Sequence, residues 1–175
     1  LEGIREVLGV PAENVETAAN ASHPEIVYDK GCNILGAEIK PLERWWFNAK
    51  PRPAVGITEI DYGFTAEYFN GADFSGEPVL TRLDPQINFN WIYHAPDDKV
   101  DSRQFCVRWT ATMCSPKSFE GRIGLSSPDS MRLYIDGELV IDGWGEDKEA
   151  SQMVPFFFES GRKYDVRVEF RNDAR

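Results

Sequence analysis

Side chains able to do covalent or metal chemistry are few and scattered in this 175-residue chain. His23 and His94 are its only histidines, and no serine nucleophile motif accompanies them, so an acyl-transfer triad has no foundation. Cys32, Cys106 and Cys114 with these histidines are too few and too scattered for a zinc site. Cys106 and Cys114 fall in what reads as a single strand, which sets them roughly 26 Å apart, against about 6 Å between the Cα atoms of a disulfide. Both are expected as buried, reduced thiols. Asp97-Asp98 is an adjacent carboxylate pair, but a calcium ion takes about six to eight oxygens, and the pair reads as a solvated turn. No metal and no cofactor is expected from these residues. Aromatic residues make up 13% of the chain, a surplus that suits a β-core or a surface for sugar stacking.

Composition narrows the partners. Hydrophobic residues are 42% of the chain, as in a globular protein. The formal net charge of -10, from 29 acidic and 19 basic residues, repels nucleic acid and anionic membrane surfaces. No stretch approaches the roughly 20 apolar residues of a membrane span. The chain starts at Leu1 with neither a Met nor a basic-then-apolar leader, and so reads as an excised piece. Its compartment is not written in it, although a periplasmic or secreted origin is favoured over a cytoplasmic one.

The elements that would position any site change character along the chain. Leu1, Ile4 and Leu8 at helical spacing, stopped by Gly9 and Pro11, predict the end of an amphipathic helix. Glu25-Ile26-Val27-Tyr28 reads as a short strand, and the two together as a 1–32 segment of an α/β domain. From 33 to 61 the pattern dissolves among Pro41, Pro51 and Pro53, which predicts a linker docked through Trp45, Trp46 and Phe47. From Gly63 the period switches to two. Strands are predicted from Gly63, and at Val79 to Leu83, Gln104 to Met113, Gly121 to Leu125, Met131 to Ile135, Glu138 to Ile141, Met153 to Phe158 and Lys163 to Phe170. Asp136-Gly137 is the two-residue turn of a tight hairpin, with Met131, Leu133 and Ile135 on one face and Leu139 and Ile141 returning on the partner strand. Many short strands with turns between them predict a mainly β fold, an antiparallel sandwich over 62–175.

Particular stretches carry a resemblance. Gly63-Phe64-Thr65-Ala66-Glu67-Tyr68-Phe69, Phe74-Ser75-Gly76-Glu77-Pro78-Val79, the run from Arg82 to Trp91, Phe105 to Thr110, and Leu133 to Trp144 follow in the order of the protective-antigen-type (PA-fourteen) β-sandwich. Upstream, Leu1 to Gly9 followed by Val27 to Cys32 resembles part of the α/β second domain of family 3 glycoside hydrolases, some of which carry such a sandwich as an insertion. The resemblance implies a piece of a β-glucosidase acting on terminal β-glucosides, partnered by the parent's barrel and α/β domains, with the nucleophile and the acid/base outside this chain. In that family a further strand follows the one ending near Phe170, so the sandwich here reads as missing its last strand.

In calcium-dependent adhesins of this fold two adjacent aspartates hold the ion. Here those positions read Pro128-Asp129, which removes one hard ligand. In family 3 enzymes with this insertion, the sandwich can lend a loop to the aglycone side of the pocket. The matching loop runs from Gly143 to Lys148, so Trp144, Glu146 and Asp147 are the candidate substrate-binding residues, followed by Trp91 and Tyr93. β-Linked glucosides or oligosaccharides are the expected ligands. A stand-alone lectin or adhesin module, or a structural insertion mediating homo-oligomer contacts, is the alternative.

Overall fold

The computed structural model describes residues 42–89, 91, 94–145 and 150–172, all within the unit Ile39–Arg175. The expectation for 1–32 lies outside the described residues. Nine strands are described: β1 (Phe47–Ala49), β2 (Phe64–Asn70), β3 (Leu80–Asp84), β4 (Phe105–Cys114), β5 (Phe119–Ser126), β6 (Ser130–Ile135), β7 (Glu138–Gly143), β8 (Ser151–Phe158) and β9 (Lys163–Arg171). The larger sheet runs β3-β2-β4-β9-β6-β7, and β1 also pairs with β4; β5 and β8 form a second sheet. All of these pairings are antiparallel. This is a mainly β, antiparallel sandwich, and no helix among the described residues is long and apolar enough to cross a membrane.

Strict alternation explains why β4 is central. Phe105, Val107, Trp109, Ala111 and Met113 are all buried, while Arg108, Thr110 and Thr112 between them are half-buried on the opposite, outer face. On β9, Tyr164, Val166 and Val168 are buried beneath the second sheet's Ile123 and Phe158 in one core. Cys106 and Cys114 sit on the same strand and do not pair with each other; Cys106 is buried as expected, whereas Cys114 is only half-buried.

Two expectations need correction. The stretch 33–61 was expected to be a linker, yet its described part joins the domain: Phe47–Ala49 pairs with Met113–Ala111 of β4, along the edge where β2 leaves off after Thr65↔Thr110. A three-residue strand is too short to show period-two alternation, so its signal was only aromatic. Those aromatics dock as anticipated, with Phe47 4.5 Å from Phe64 and Trp46 5.7 Å from Phe158, while Trp45 stays exposed. The second correction concerns the hairpin. Asp136 (φ 53°) and Gly137 (φ 84°) make the left-handed turn, but the register shifts between Leu133 and Tyr134. Leu139 consequently faces Tyr134 and is exposed, whereas Ile141 faces Leu133 and is buried. The extra residue of a bulge turns one of two alternating side chains outward.

Among the described residues the apolar core holds the carboxylate of Asp84, which accepts three hydrogen bonds. Asp84 is 2% exposed. The Tyr68 hydroxyl and the Trp109 indole N–H both donate to its Oδ2, at 2.6 and 2.8 Å, and Arg82 Nε donates to Oδ1 at 2.7 Å. Arg82 also donates to Tyr68 Oη and to the Pro96 carbonyl. Burial, then the neighbouring Asp84 charge, pushes the Tyr68 phenol far above its ordinary pKa, so it remains a donor. Gly63 lies against this centre with φ 124°, and a Cβ there would stand 2.5 Å from the Asp84 carbonyl oxygen.

Removing the shared acceptor by Asp84→Ala leaves three donors without their partner, and urea unfolding is expected to show a loss of about 3–5 kcal/mol. Tyr68→Phe, which removes one donor to a charged group, is expected to cost about 1.5–3 kcal/mol in the same assay. Gly63→Ala combines backbone strain of about 1–3 kcal/mol with a steric overlap; a melting temperature equal to that of the unsubstituted chain would contradict this account of the Asp84 corner.

Candidate functional site

Trp144 leaves β7 directly after Gly143, and three interactions set its position. Arg132 and Asp142 face each other across the β6–β7 ladder and pair at 2.8 Å. Asp142 Oδ1 also accepts from the Trp144 backbone N–H at 3.3 Å. Its hydrogen bond to Arg132 holds the Asp142 carboxyl below the usual carboxylate range, so the clamp persists down into acid. The following Gly145 N–H donates to Ser130 Oγ, which also accepts from Arg171.

The Trp144 ring is half-buried on the outer face of the larger sheet. The Arg132 and Arg171 guanidiniums stand 4.8 and 4.9 Å from its centroid, and Phe74, from the β2–β3 connection, lies at 6.2 Å. Phe74 in turn meets Phe69 edge-on at 5.5 Å, and Arg108 lies over Phe74 at 4.5 Å. Cation–π contact and a charge-assisted clamp hold the indole at a fixed angle. Such an arrangement offers a half-open apolar ring ringed by N–H donors, which is chemistry suited to a sugar's apolar face and hydroxyls.

Of the other candidates, Trp91 does not join it. Trp91 lies on the opposite side of the sheet, where it stacks at 4.7 Å on Phe89 and 6.1 Å from Trp109, and meets Phe105 and Phe170 edge-on at 5.4 and 5.5 Å. It packs against the core. Glu146, Asp147 and Tyr93 lie outside the described residues. Sequence reasoning missed Arg132, Arg171 and Phe74. For the arginines a signal existed: period-two alternation puts Arg132 on the outward face of β6 and Arg171 on the outward face of β9.

Among the described residues no three His, Cys, Asp or Glu side chains cluster as metal ligands. Asp97 uses its carboxylate to accept from the Lys99 backbone N–H at 3.0 Å, as a turn residue does. His94 is exposed.

Comparison with known proteins places this architecture. The chain is 32% identical over 113 residues to the anti-sigma-I factor RsgI3 of Acetivibrio thermocellus, and 31% identical over 115 residues to a β-glucosidase of Rhizobium radiobacter. The alignments cover 65% and 61% of this chain but only 17% and 14% of those proteins, so the chain corresponds to one module of each. The crystal structure of a β-glucosidase from Kluyveromyces marxianus matches 78% of this chain and 18% of its own, with a TM-score of 0.61 at 19% identity, which shows a shared fold. The PA14 domain matches residues 61–175, the span that holds β2 to β9, and the chain belongs to the PA14 domain family.

Proposed function

We propose that this sandwich is the carbohydrate-contacting module of a family 3 β-glucosidase, and that its β7 exit at Trp144 contributes to substrate selection on the aglycone side of the pocket. The observation that carries the proposal is the Trp144 indole, half exposed and held by Arg132 and Arg171 at cation–π distance. The similarity to a β-glucosidase over 115 residues supports the setting, as does the resemblance of 1–32 to the α/β domain of such enzymes. The chemistry itself belongs to two carboxylates about 5 Å apart in a retaining enzyme, supplied by the parent's other parts. The sandwich then acts by shape. A loop over the pocket admits short glucosides and obstructs long chains.

A second reading has its own observation. The identity of 32% to an anti-sigma factor over a similar span is consistent with the same module serving as a glycan sensor in a protein that is not a hydrolase. Flanking sequence separates the two readings, because only the enzyme needs a barrel upstream.

Deleting Gly63 to Ala174 from the parent enzyme is expected to abolish its preference for short over long β-glucosides while leaving the bond cleavage intact; an unchanged preference would refute the gating role. Within the intact parent, Trp144→Ala is expected to lower kcat/KM for aryl glucosides by about three- to thirtyfold, the scale of one lost stacking contact.

A further inference from the structure

The outer face of the larger sheet carries a second feature, removed from Trp144 along β6 and β9. A groove of 410 Å³ is lined by Lys50, Arg52, Thr110, Tyr134, Asp165 and Arg167, among others. That volume lies within the range of about 300–1,000 Å³ typical of small-ligand sites. Its floor is set by register: Tyr134, Arg167 and Thr110 are neighbours across β6, β9 and β4. In a chain of net charge -10, a groove with three cations and one carboxylate runs against the overall field.

Charge pairing around the groove does not close. Lys50 pairs with Asp165 at 2.9 Å and Arg52 with Glu67 at 3.0 Å. Among the described residues Arg167 pairs only with Glu169, at 3.4 Å, and Glu169 is shared with Arg108 at the same distance. The Arg167 Nε is buried and lacks a hydrogen-bond partner among the described residues. The guanidinium lies 3.9 Å from the centroid of the Tyr134 ring, a stacked pose that fixes its planar fork. Four cations against three carboxylates leave one positive charge, shared by Arg108 and Arg167 through Glu169; of the two, Arg167 lines the groove, its side chain is 42% exposed, and a guanidinium can take a carboxylate in two parallel hydrogen bonds.

We infer that this groove binds a carboxylate-bearing saccharide, with the carboxylate on Arg167 and ring hydroxyls on Thr110 and the Lys50–Asp165 pair. The inference takes from the preceding section only that the module handles carbohydrate; the site is distinct from Trp144. A single carboxylate balances the groove, and the hydroxyl of Thr110 beside the two ion pairs supplies the donors and acceptors that a sugar ring needs.

The test is amide shift mapping of the full chain by nuclear magnetic resonance at low salt. The probes are cellobiouronic acid, a glucuronosyl-glucose, and cellobiose, its neutral counterpart. Cellobiouronic acid is expected to move the amides of Thr110, Tyr134 and Arg167, whereas cellobiose leaves them in place. Arg167→Ala is expected to weaken binding roughly ten- to a hundredfold, the scale of a lost charge-assisted contact, with Arg167→Lys intermediate and Trp144→Ala without effect. No shift at these amides, equal shifts with cellobiose, or equal shifts with inorganic phosphate would each overturn the inference. The same holds if Trp144→Ala rather than Arg167→Ala abolishes binding. Mapping on the unsubstituted chain decides the matter even if a variant does not fold. Failure here leaves the Trp144 reading standing, because the aryl glucoside assay does not involve the groove.

Discussion

A buried carboxylate is tolerable in an apolar core only when every lone pair is used, and Asp84 organises this sandwich because its partners come from three strands. Tyr68 reaches it from β2, Arg82 from its own strand β3, and Trp109 from β4. Satisfying one charge therefore aligns the edge of the larger sheet with its centre. Arg82 extends the constraint to the Pro96 carbonyl, tying down the long connection between β3 and β4. Trp109, thus oriented, is the surface on which Phe89 and Trp91 stack in near-parallel planes. An apolar residue at 84 would bury as well but would fix none of these angles.

The two faces of the larger sheet follow different rules. Its inner face is apolar and pays for the fold through burial. Its outer face is a lattice in which each arginine lies over an aromatic: Arg108 on Phe69 and Phe74, Arg132 and Arg171 on Trp144, Arg167 on Tyr134. Glu169 is 7% exposed at the centre of this lattice, within ion-pair distance of Arg108 and Arg167. Guanidinium groups that stack keep their N–H edges available, so the face is ordered without being closed to ligands. The binding proposed at both ends of this sheet rests on that property.

Most of the strand plan was legible because alternation is a local signal. β4 and β9 could be assigned from Phe105 to Met113 and from Tyr164 to Phe170 without any knowledge of their neighbours, and Asp136-Gly137 announced its turn because few residues tolerate positive φ. The failures have a common cause. β1 is only three residues long, and its pairing with Met113 to Ala111 is a contact over more than sixty positions. The bulge that exposes Leu139 arises from the ladder between two strands and leaves no mark in either. Trp91 shows the same limit at the level of the site: a tryptophan on a predicted loop reads as a platform for sugar, and only its stack with Phe89 and Trp109 shows that it packs against the core.

By itself, then, the sequence determined the class of fold, the strand order along the chain, the kinship of the module and the absence of a nucleophile motif, because each rests on residue type and short spacing. The tertiary structure decided which aromatics are core and which are surface, which carboxylate is buried, and which arginines share a surplus charge. Those properties depend on register between strands far apart in sequence, where a shift of one residue exchanges the two faces of a strand. Arg167 and Arg132 look alike in the sequence as outward basic residues of a sheet; only their neighbours make one a clamp for Trp144 and the other the open end of a groove.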